Sequence, residues 1–362
     1  MQENMSIFYG SATGIGSMPH DNPIRALKII KETLPFGPHW PQLPDRGRQE
    51  GFLGQHLSSL ISMGLIDPQK GETPFFSDLE KDWPEKAARF YENYFACLDP
   101  KKNDDKFPFL PFPRENASGF YKFLKEKWES LSGKPSYLKG QLAGPLSFGL
   151  QINAGDGKAA FYREDLRDIL NKALALIARF QVRSLKKFSI PVVIFIDEPL
   201  LLAYGQSPYI SLSREHILQS LGEIVEAIRG EGAYVGVHCC SGGDWSLLFQ
   251  LPVHIVSFDA YNYLDSMLVY SEELNSFLKK GGCLAWGLIP TSDAIENENA
   301  VSLEKKFTNS IERFSRHGVS SKLLLGQYLL TPSCGTGTLT VSQSEKVYRT
   351  TFQLQKMLAL TD

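Results

Sequence analysis

The chain has 362 residues with a formal net charge of −2; 43% of the residues are hydrophobic, 12% are aromatic, 22% are charged, and five are cysteines. This composition is typical of a soluble globular protein with a large core, and the small net charge gives no support for binding nucleic acid or an anionic membrane. The N-terminal stretch has no secretory-signal pattern, no apolar run approaches the ~20 residues of a membrane span, and the odd cysteine count argues against a disulfide framework, so we expect a cytoplasmic protein.

Short apolar runs that alternate with helical patterns predict buried parallel strands. In chain order they are ATGIGSM (12–18), PHWPQLP (38–44), YLKGQLAGP (137–145), PVVIFIDEP (191–199), YVGVHCC (234–240), HIVSFDAY (254–261), CLAWGLIP (283–290) and KLLLGQYLLTPSCG (322–335). The clearest helical patterns cover 164–188, 213–230 with Ser213 as the N-cap, 302–318 and 342–360. Eight such strands predict an α/β fold, a (β/α)8 TIM barrel that residues 1–362 form as a single domain.

Residues 51–136 do not follow this alternation. They are rich in Phe, Trp, Lys and Glu and contain the proline-rich connector KFPFLPFPREN (106–116). We interpret the region as a helical insertion between strands two and three, packed over one mouth of the barrel. Its aromatic residues could face a large flat cofactor, but at helical spacing they are more typical of core packing.

The stretch VGVHCCSGG (235–243) places two cysteines side by side, directly after a histidine and at the end of a predicted strand. Alternate side chains of a strand share a face. His238 and Cys240 should therefore point together into the mouth of the barrel, where such folds build their active sites. Cys239 should point the other way and pack in the wall.

Two ligands are too few for a zinc site, which needs four, or three and a substrate. The carboxyl ends of all barrel strands meet at one mouth, and Cys334 and Asp259 lie at two other predicted strand ends. A histidine, two thiolates and a carboxylate suit zinc. The sequence thus predicts a metal site, although buried packing of the cysteines and a turn role for Asp259 remain the alternatives.

Short segments from residue 13 to residue 335 together resemble the catalytic barrel of cobalamin-independent methionine synthase. They also resemble the related methylcobalamin:coenzyme M methyltransferases; both groups share a superfamily with uroporphyrinogen decarboxylase. The segments are TGIGSMP (13–19), GQLAGPLSFG (140–149), FIDEPLL (195–201), the His-x-Cys at 238–240 and the Pro-x-Cys-Gly at 332–335.

The resemblance implies a zinc site and a neighbouring site for the substrate. Zinc would be bound by His238, Cys240 and Cys334, with Asp259 at the place of a glutamate ligand. Residues of two strand ends would bind the substrate, with the Ser17 segment on a carboxylate and Asp197 on an amine. The predicted substrate-binding residues are Ile15, Gly16, Ser17, Gln42, Asp197 and Glu198.

Two departures from the methionine synthase pattern bear on the substrates. Gln42 lies near the place where the family holds the homocysteine amine with a glutamate, and a neutral side chain holds an ammonium less strongly. Thr291 and Ser292 follow the seventh strand, where the family has a histidine that helps to protonate the departing folate. Cob(I)alamin leaves without a proton. The resemblance therefore implies a zinc-dependent methyltransferase for a homocysteine-like thiol, with a methylcorrinoid or a corrinoid protein as donor.

Two other functions remain open. A decarboxylase of the uroporphyrinogen type would need arginines for substrate carboxylates, and Arg46 and Arg48 in PDRGRQE are candidates, although a solvated loop is the simpler interpretation. Such an enzyme has no need of three zinc ligands. A non-catalytic barrel that binds a corrinoid or a thiol would keep zinc without transferring a methyl group.

Overall fold

The computed structural model describes residues 4–68, 73–98, 112–128 and 135–360. Its strands are β1 (Ser11–Ala12), β2 (Ile66–Asp67), β3 (Phe75–Phe76), β4 (Leu138–Ala143), β5 (Val192–Asp197), β6 (Tyr234–Cys239), β7 (Ile255–Phe258), β8 (Cys283–Ile289) and β9 (Tyr328–Pro332). Seven of them form one parallel sheet in the order β1-β9-β8-β7-β6-β5-β4, and β2 pairs with β3 in a small antiparallel sheet.

The α-helices of the described ranges lie between and beside these strands. They are α1 (Pro23–Thr33), α2 (Gly54–Ser62), α3 (Trp83–Leu98), α4 (Ser118–Phe123), α5 (Pro145–Leu150), α6 (Glu164–Lys186), α7 (Arg214–Gly230), α8 (Ser246–Phe249), α9 (Leu264–Leu268), α10 (Ser271–Lys279), α11 (Ala300–Arg316), α12 (Ser321–Gly326) and α13 (Val341–Leu358). The predicted N-cap of α7 is confirmed, since the Ser213 side chain accepts from the His216 amide. Within the described ranges, no helix is long and apolar enough to cross a membrane.

The predicted α/β fold is confirmed, but the sheet is a curled half-barrel of seven strands and not a closed barrel of eight. The second predicted strand, residues 38–44, makes only isolated bridges, Ser17 to Gln42 and His39 to Lys139. Its prolines at positions 38, 41 and 44 lack the N–H groups that a continuous ladder needs. The segment therefore lies between the two edges of the sheet without becoming a strand.

The prediction of the last strand, residues 322–335, is wrong for its first residues. Residues 321–326 form α12, and the strand begins only at Tyr328. Ser320 begins this helix because its side chain accepts from the Leu323 amide. An apolar run such as KLLLG does not distinguish a strand from a buried helix, and here the cap decides.

The curled sheet has an inner face and an outer face with separate cores. In β5, Val193 and Phe195 belong to the inner core, whereas Ile194 and Ile196 pack outward against the helices. The inner core consists of Phe8, Tyr137, Val193, Phe195, Ile255, Cys283, Ala285 and Leu329. Continuing this alternation to the strand ends places Asp197 and His238 on the inner face.

The region 51–136 contains α2, α3 and α4 together with the β2–β3 pair, so it is helical only in part. Its described helices pack beside the sheet, α4 against α1 and both α2 and α3 against α6. The Tyr91 hydroxyl donates to Asp168 of α6 at 2.6 Å. Residues 106–111 of the proline-rich connector lie outside the described residues, and a position over the strand ends remains a prediction.

Candidate metal centre

Three predicted ligands come together at the carboxyl ends of the strands. His238 lies in β6, Cys240 follows β6, and Cys334 follows β9. Their ligand atoms all lie within 4.8 Å of one another. The strands β7 and β8 separate β6 from β9 in the sheet, so only the curl of the sheet brings Cys334 to the other two residues. The structure thus contains a group of one imidazole and two thiols that could hold a metal ion.

The His238 ring is oriented by a residue that the sequence analysis did not single out. With Nε2 as the ligand atom, Nδ1–H donates to Ser257 Oγ on the neighbouring strand β7, at 2.9 Å. Nε2 itself is buried and has no hydrogen-bond partner among the described residues. A ligating histidine usually has its second nitrogen held in this way, and the unpartnered Nε2 is free to bind a metal.

The two sulfur atoms lie within 4.8 Å of each other. The neighbouring Cys334 and His238 side chains lower the pKa of Cys240 to about 4. The Cys240 side chain, together with burial, raises the pKa of Cys334. Two cysteine sulfurs and a histidine nitrogen fit zinc, which keeps an open fourth position in catalytic sites with three protein ligands.

Cys239 and Asp259 are not part of this group. Cys239 lies in the outer core, as alternation along β6 predicts, and burial raises its pKa to about 12. Asp259 is also buried, but its two oxygens accept from the backbone and the side-chain amide of Asn262, at 2.8 and 2.7 Å. Asp259 therefore stabilises a turn here, and among the described residues only three ligands form the cluster.

The consecutive acids Asp197 and Glu198 point in different directions. Asp197 is half-buried, and its Oδ1 atom is buried without a hydrogen-bond partner among the described residues. Burial raises its pKa to about 6, although Lys139 and His238 oppose this change. Its pKa also responds to Cys240, which is consistent with a position beside the metal centre.

Glu198 caps the first turn of α5. Its carboxylate accepts from the amides of Leu146 and Ser147, at 2.9 and 2.6 Å, and from the Ser147 hydroxyl. Gly144 makes room for this contact, since a Cβ there would collide with the carboxylate. A substrate-binding role was predicted for Glu198, but the structure uses its oxygens to satisfy free N–H groups at a helix start.

Glu198 should make stability depend on pH. Burial raises its pKa from 4.5 to about 7, against the opposing hydrogen bonds. Between these values the folded state binds more protons than the unfolded state, so the free energy of unfolding falls as pH rises. We expect wild-type stability to fall relative to Glu198→Gln across this range, measured by urea denaturation at several pH values. A difference that is flat or rises with pH would contradict the assignment.

The first strand end lies beside the Cys334 loop. The amide of Thr336 donates to the Ser17 carbonyl at 2.8 Å, and the Gly337 amide donates to Ser17 Oγ at 3.3 Å. Gly335 allows this close approach because a Cβ there would collide with Ser17 Oγ. The Ser17 segment therefore borders the candidate metal centre.

The other predicted substrate-binding residues are connected to this strand end through the backbone. The Gln42 amide donates to the Gly16 carbonyl at 3.0 Å, and the Ile15 carbonyl accepts from Lys139 Nζ at 2.6 Å. Lys139 was not predicted as a site residue. The sequence did contain a signal for it, because a lysine within the otherwise apolar predicted strand YLKGQLAG indicates a buried charge.

Arg46, one of the two arginines considered for decarboxylase chemistry, forms hydrogen bonds within its own region. Arg46 Nε donates to Glu50 at 2.7 Å, and Arg46 Nη1 donates to the Asp21 carbonyl at 2.7 Å. Thr291 stands where the resembling family has a histidine that protonates the departing folate. Its hydroxyl forms a hydrogen bond with the Ser333 hydroxyl, with 3.0 Å between the two oxygens. The contacts of Arg46 do not favour a role for this residue in binding a substrate carboxylate.

No known protein-family profile matches this chain, and no curated protein sequence matches it. Among solved structures, the chain is similar to one from Listeria monocytogenes that is provisionally named a vitamin-B12 independent methionine synthase. The identity is 14%, the TM-score is 0.49, and the match covers 93% of this chain and 85% of that chain. This similarity concerns only the path of the backbone. Fold and site together define an α/β protein with a three-ligand candidate metal centre.

Proposed function

We propose that this chain is a zinc-dependent methyltransferase that moves a methyl group to the sulfur of a thiol acceptor. The observation that carries the proposal is the cluster of His238, Cys240 and Cys334 at the strand ends, with the His238 Nε2 atom unpartnered. A free thiol has a pKa of ~8.5, and zinc bound at this cluster would deprotonate it and hold it as a thiolate.

The chain's own residues would orient the acceptor. Ser257 fixes the His238 ring, and Asp197 offers an unpartnered carboxylate oxygen to a substrate cation. The Ser17 segment beside Cys334 is the candidate contact for a substrate carboxylate. A homocysteine-like thiol would suit these groups, and methylation of homocysteine itself would place the protein in methionine biosynthesis.

The methyl donor is proposed to be a methylcorrinoid, either free or carried by a corrinoid protein. The thiolate attacks the methyl carbon, a sulfur–carbon bond forms, and the electron pair of the cobalt–carbon bond remains on cob(I)alamin. This leaving group needs no proton. The region after β8 offers the hydrogen-bonded hydroxyls of Thr291 and Ser333 and no histidine, which favours this donor over a methylfolate.

The test is single-turnover demethylation of methylcobalamin by zinc-loaded protein with homocysteine. We expect the methyl–cobalt absorbance to be lost with wild type and to persist with Cys334→Ser. Transfer from methyltetrahydrofolate but not from methylcobalamin would overturn the donor assignment. If no thiol removes the methyl group from either donor, the proposed function is wrong.

A further inference from the structure

A cavity lies at the amino ends of β6, β7 and β8, opposite to the strand ends that carry the candidate metal centre. Its volume is about 820 Å³. The lining comes from residues 4–6 and Tyr9, the end of α7, the segment 249–254 that leads into β7, and the turn between α10 and β8. Sites for small organic ligands have volumes of about 300–1,000 Å³, so the cavity is large enough for such a ligand.

The lining of this cavity carries positive charge. Arg229 lies in the last turn of α7 and Lys280 follows α10, whereas no aspartate or glutamate is among the lining residues that the structure describes. Lys280 is exposed and forms no ion pair within the described ranges. Arg229 Nη1 donates to the Pro252 carbonyl at 3.3 Å, which holds the guanidinium against the segment 249–254. Basic residues commonly compensate the dipole at the end of a helix, but here two different helices bring them to one cavity.

The acid nearest to Arg229 in the chain is bound by other arginines. Glu231 accepts from Arg179 Nη1 at 2.9 Å and from Arg183 Nη2 at 2.8 Å, and both arginines belong to α6. Glu231 is not part of the cavity lining. The lining therefore suits an anion.

One wall of the cavity is apolar. Phe249 and Phe277 both line it, and their ring centroids lie 5.4 Å apart. The N-terminal wall is anchored to the turn after α10, since the Tyr9 hydroxyl donates to the Gly281 carbonyl at 3.3 Å. A wall that is already held in place lowers the cost of ordering when a ligand binds.

We propose that this cavity is a second binding site, which takes a phosphate monoester with an apolar group. Arg229 and Lys280 would bind the phosphate, because two cations suit a dianion and a guanidinium offers paired N–H donors to its oxygens. The rings of Phe249 and Phe277 would contact the apolar group. The six residues of β6 span about 20 Å between the cavity and the candidate metal centre. The ligand would not reach that centre, so the inference does not depend on the proposed function.

The first test is titration calorimetry with 1-naphthyl phosphate, on wild type and on Cys334→Ser. We expect equal affinities, because the cavity and Cys334 lie at opposite ends of the strands, whereas a phosphate bound to zinc would need the metal that the variant loses. No binding by wild type, or loss of binding in Cys334→Ser, would overturn the proposal.

Two neighbouring lysines provide a matched pair of variants for the same titration. Lys280→Met should weaken binding about fivefold or more, because it removes one of the two charges of the lining. Lys279→Met removes an exposed lysine of α10 that is outside the lining, and in about 0.15 M salt it should change the affinity less than about twofold. Equal affinities of the two variants would overturn the role of Lys280 and with it the proposed site.

The second test separates the two parts of the ligand. 1-Naphthol keeps the ring without the charge, and inorganic phosphate keeps the charge without the ring. Each is expected to bind about tenfold or more weakly than the ester. If either binds as tightly as the ester, the proposed ligand class is wrong.

Hydrogen exchange locates the bound ester. Saturating 1-naphthyl phosphate should slow exchange of the amides in 249–254 and 277–282 and leave those in 333–340 unchanged. The reverse pattern would locate the ester at the candidate metal centre and overturn the proposal.

Discussion

Replacing Cys334 with serine is expected to lower the bound zinc from about one ion per chain to about a tenth or less. The cluster has three protein ligands within 4.8 Å of one another, and Cys334 is the one supplied from a distant strand. A serine hydroxyl is a far poorer ligand for zinc than a thiolate, and the remaining His238 and Cys240 are too few for a tight site. The measurement is metal analysis of protein purified under reducing conditions without added metal or chelator.

The adjacent cysteines supply a sharp control. Cys240→Ser should lose zinc as Cys334→Ser does, whereas Cys239→Ala should keep it, because the Cys239 side chain packs in the outer core. Loss of zinc from Cys239→Ala with retention in Cys240→Ser would reverse the assignment of the two side chains. Wild type without zinc, even after reconstitution, would mean that the three residues hold no such ion.

Replacing Glu198 with alanine is expected to destabilise the protein by about 3 kcal/mol or more. The carboxylate is buried and accepts from two amides of α5 and from the Ser147 hydroxyl. Truncation leaves these donors buried without a partner, and it removes an acceptor at the positive end of a short helix. The measurement is urea denaturation at pH 8, where the carboxylate of Glu198, with a pKa of about 7, is ionised.

Two further variants test whether the loss of stability comes from the hydrogen bonds of the Glu198 carboxylate. Glu198→Gln keeps the side-chain volume and one carbonyl oxygen, so it should be less destabilised than Glu198→Ala. Glu215→Ala removes an exposed acid from the first turn of α7 and should change stability by less than about 0.5 kcal/mol. All three should keep zinc. If Glu198→Ala retained full stability but lost acceptor binding, the substrate-binding role predicted from the sequence would be correct.

Sequence patterns located most strands of the sheet because buried parallel strands are apolar on both faces. The runs 191–199, 234–240 and 283–290 contain β5, β6 and β8 nearly to their bounds. The run 38–44 failed as a strand because its prolines remove ladder donors, and the start of 322–335 failed because Ser320 caps a helix there. In both places a local chemical feature overrides an apolar pattern.

By itself the sequence determined which side chains share a strand face, since alternation is a local property. His238 and Cys240 were separated from Cys239 on that basis. Only the tertiary structure decided which distant groups join them, because the curl of the sheet brings Cys334 within reach. It likewise decided which donors the two buried carboxylates bind. The Asn262 amide donates to Asp259, and an amide at the start of α5 donates to Glu198. Asp197, which pairs in register with His238, keeps one oxygen without a partner among the described residues.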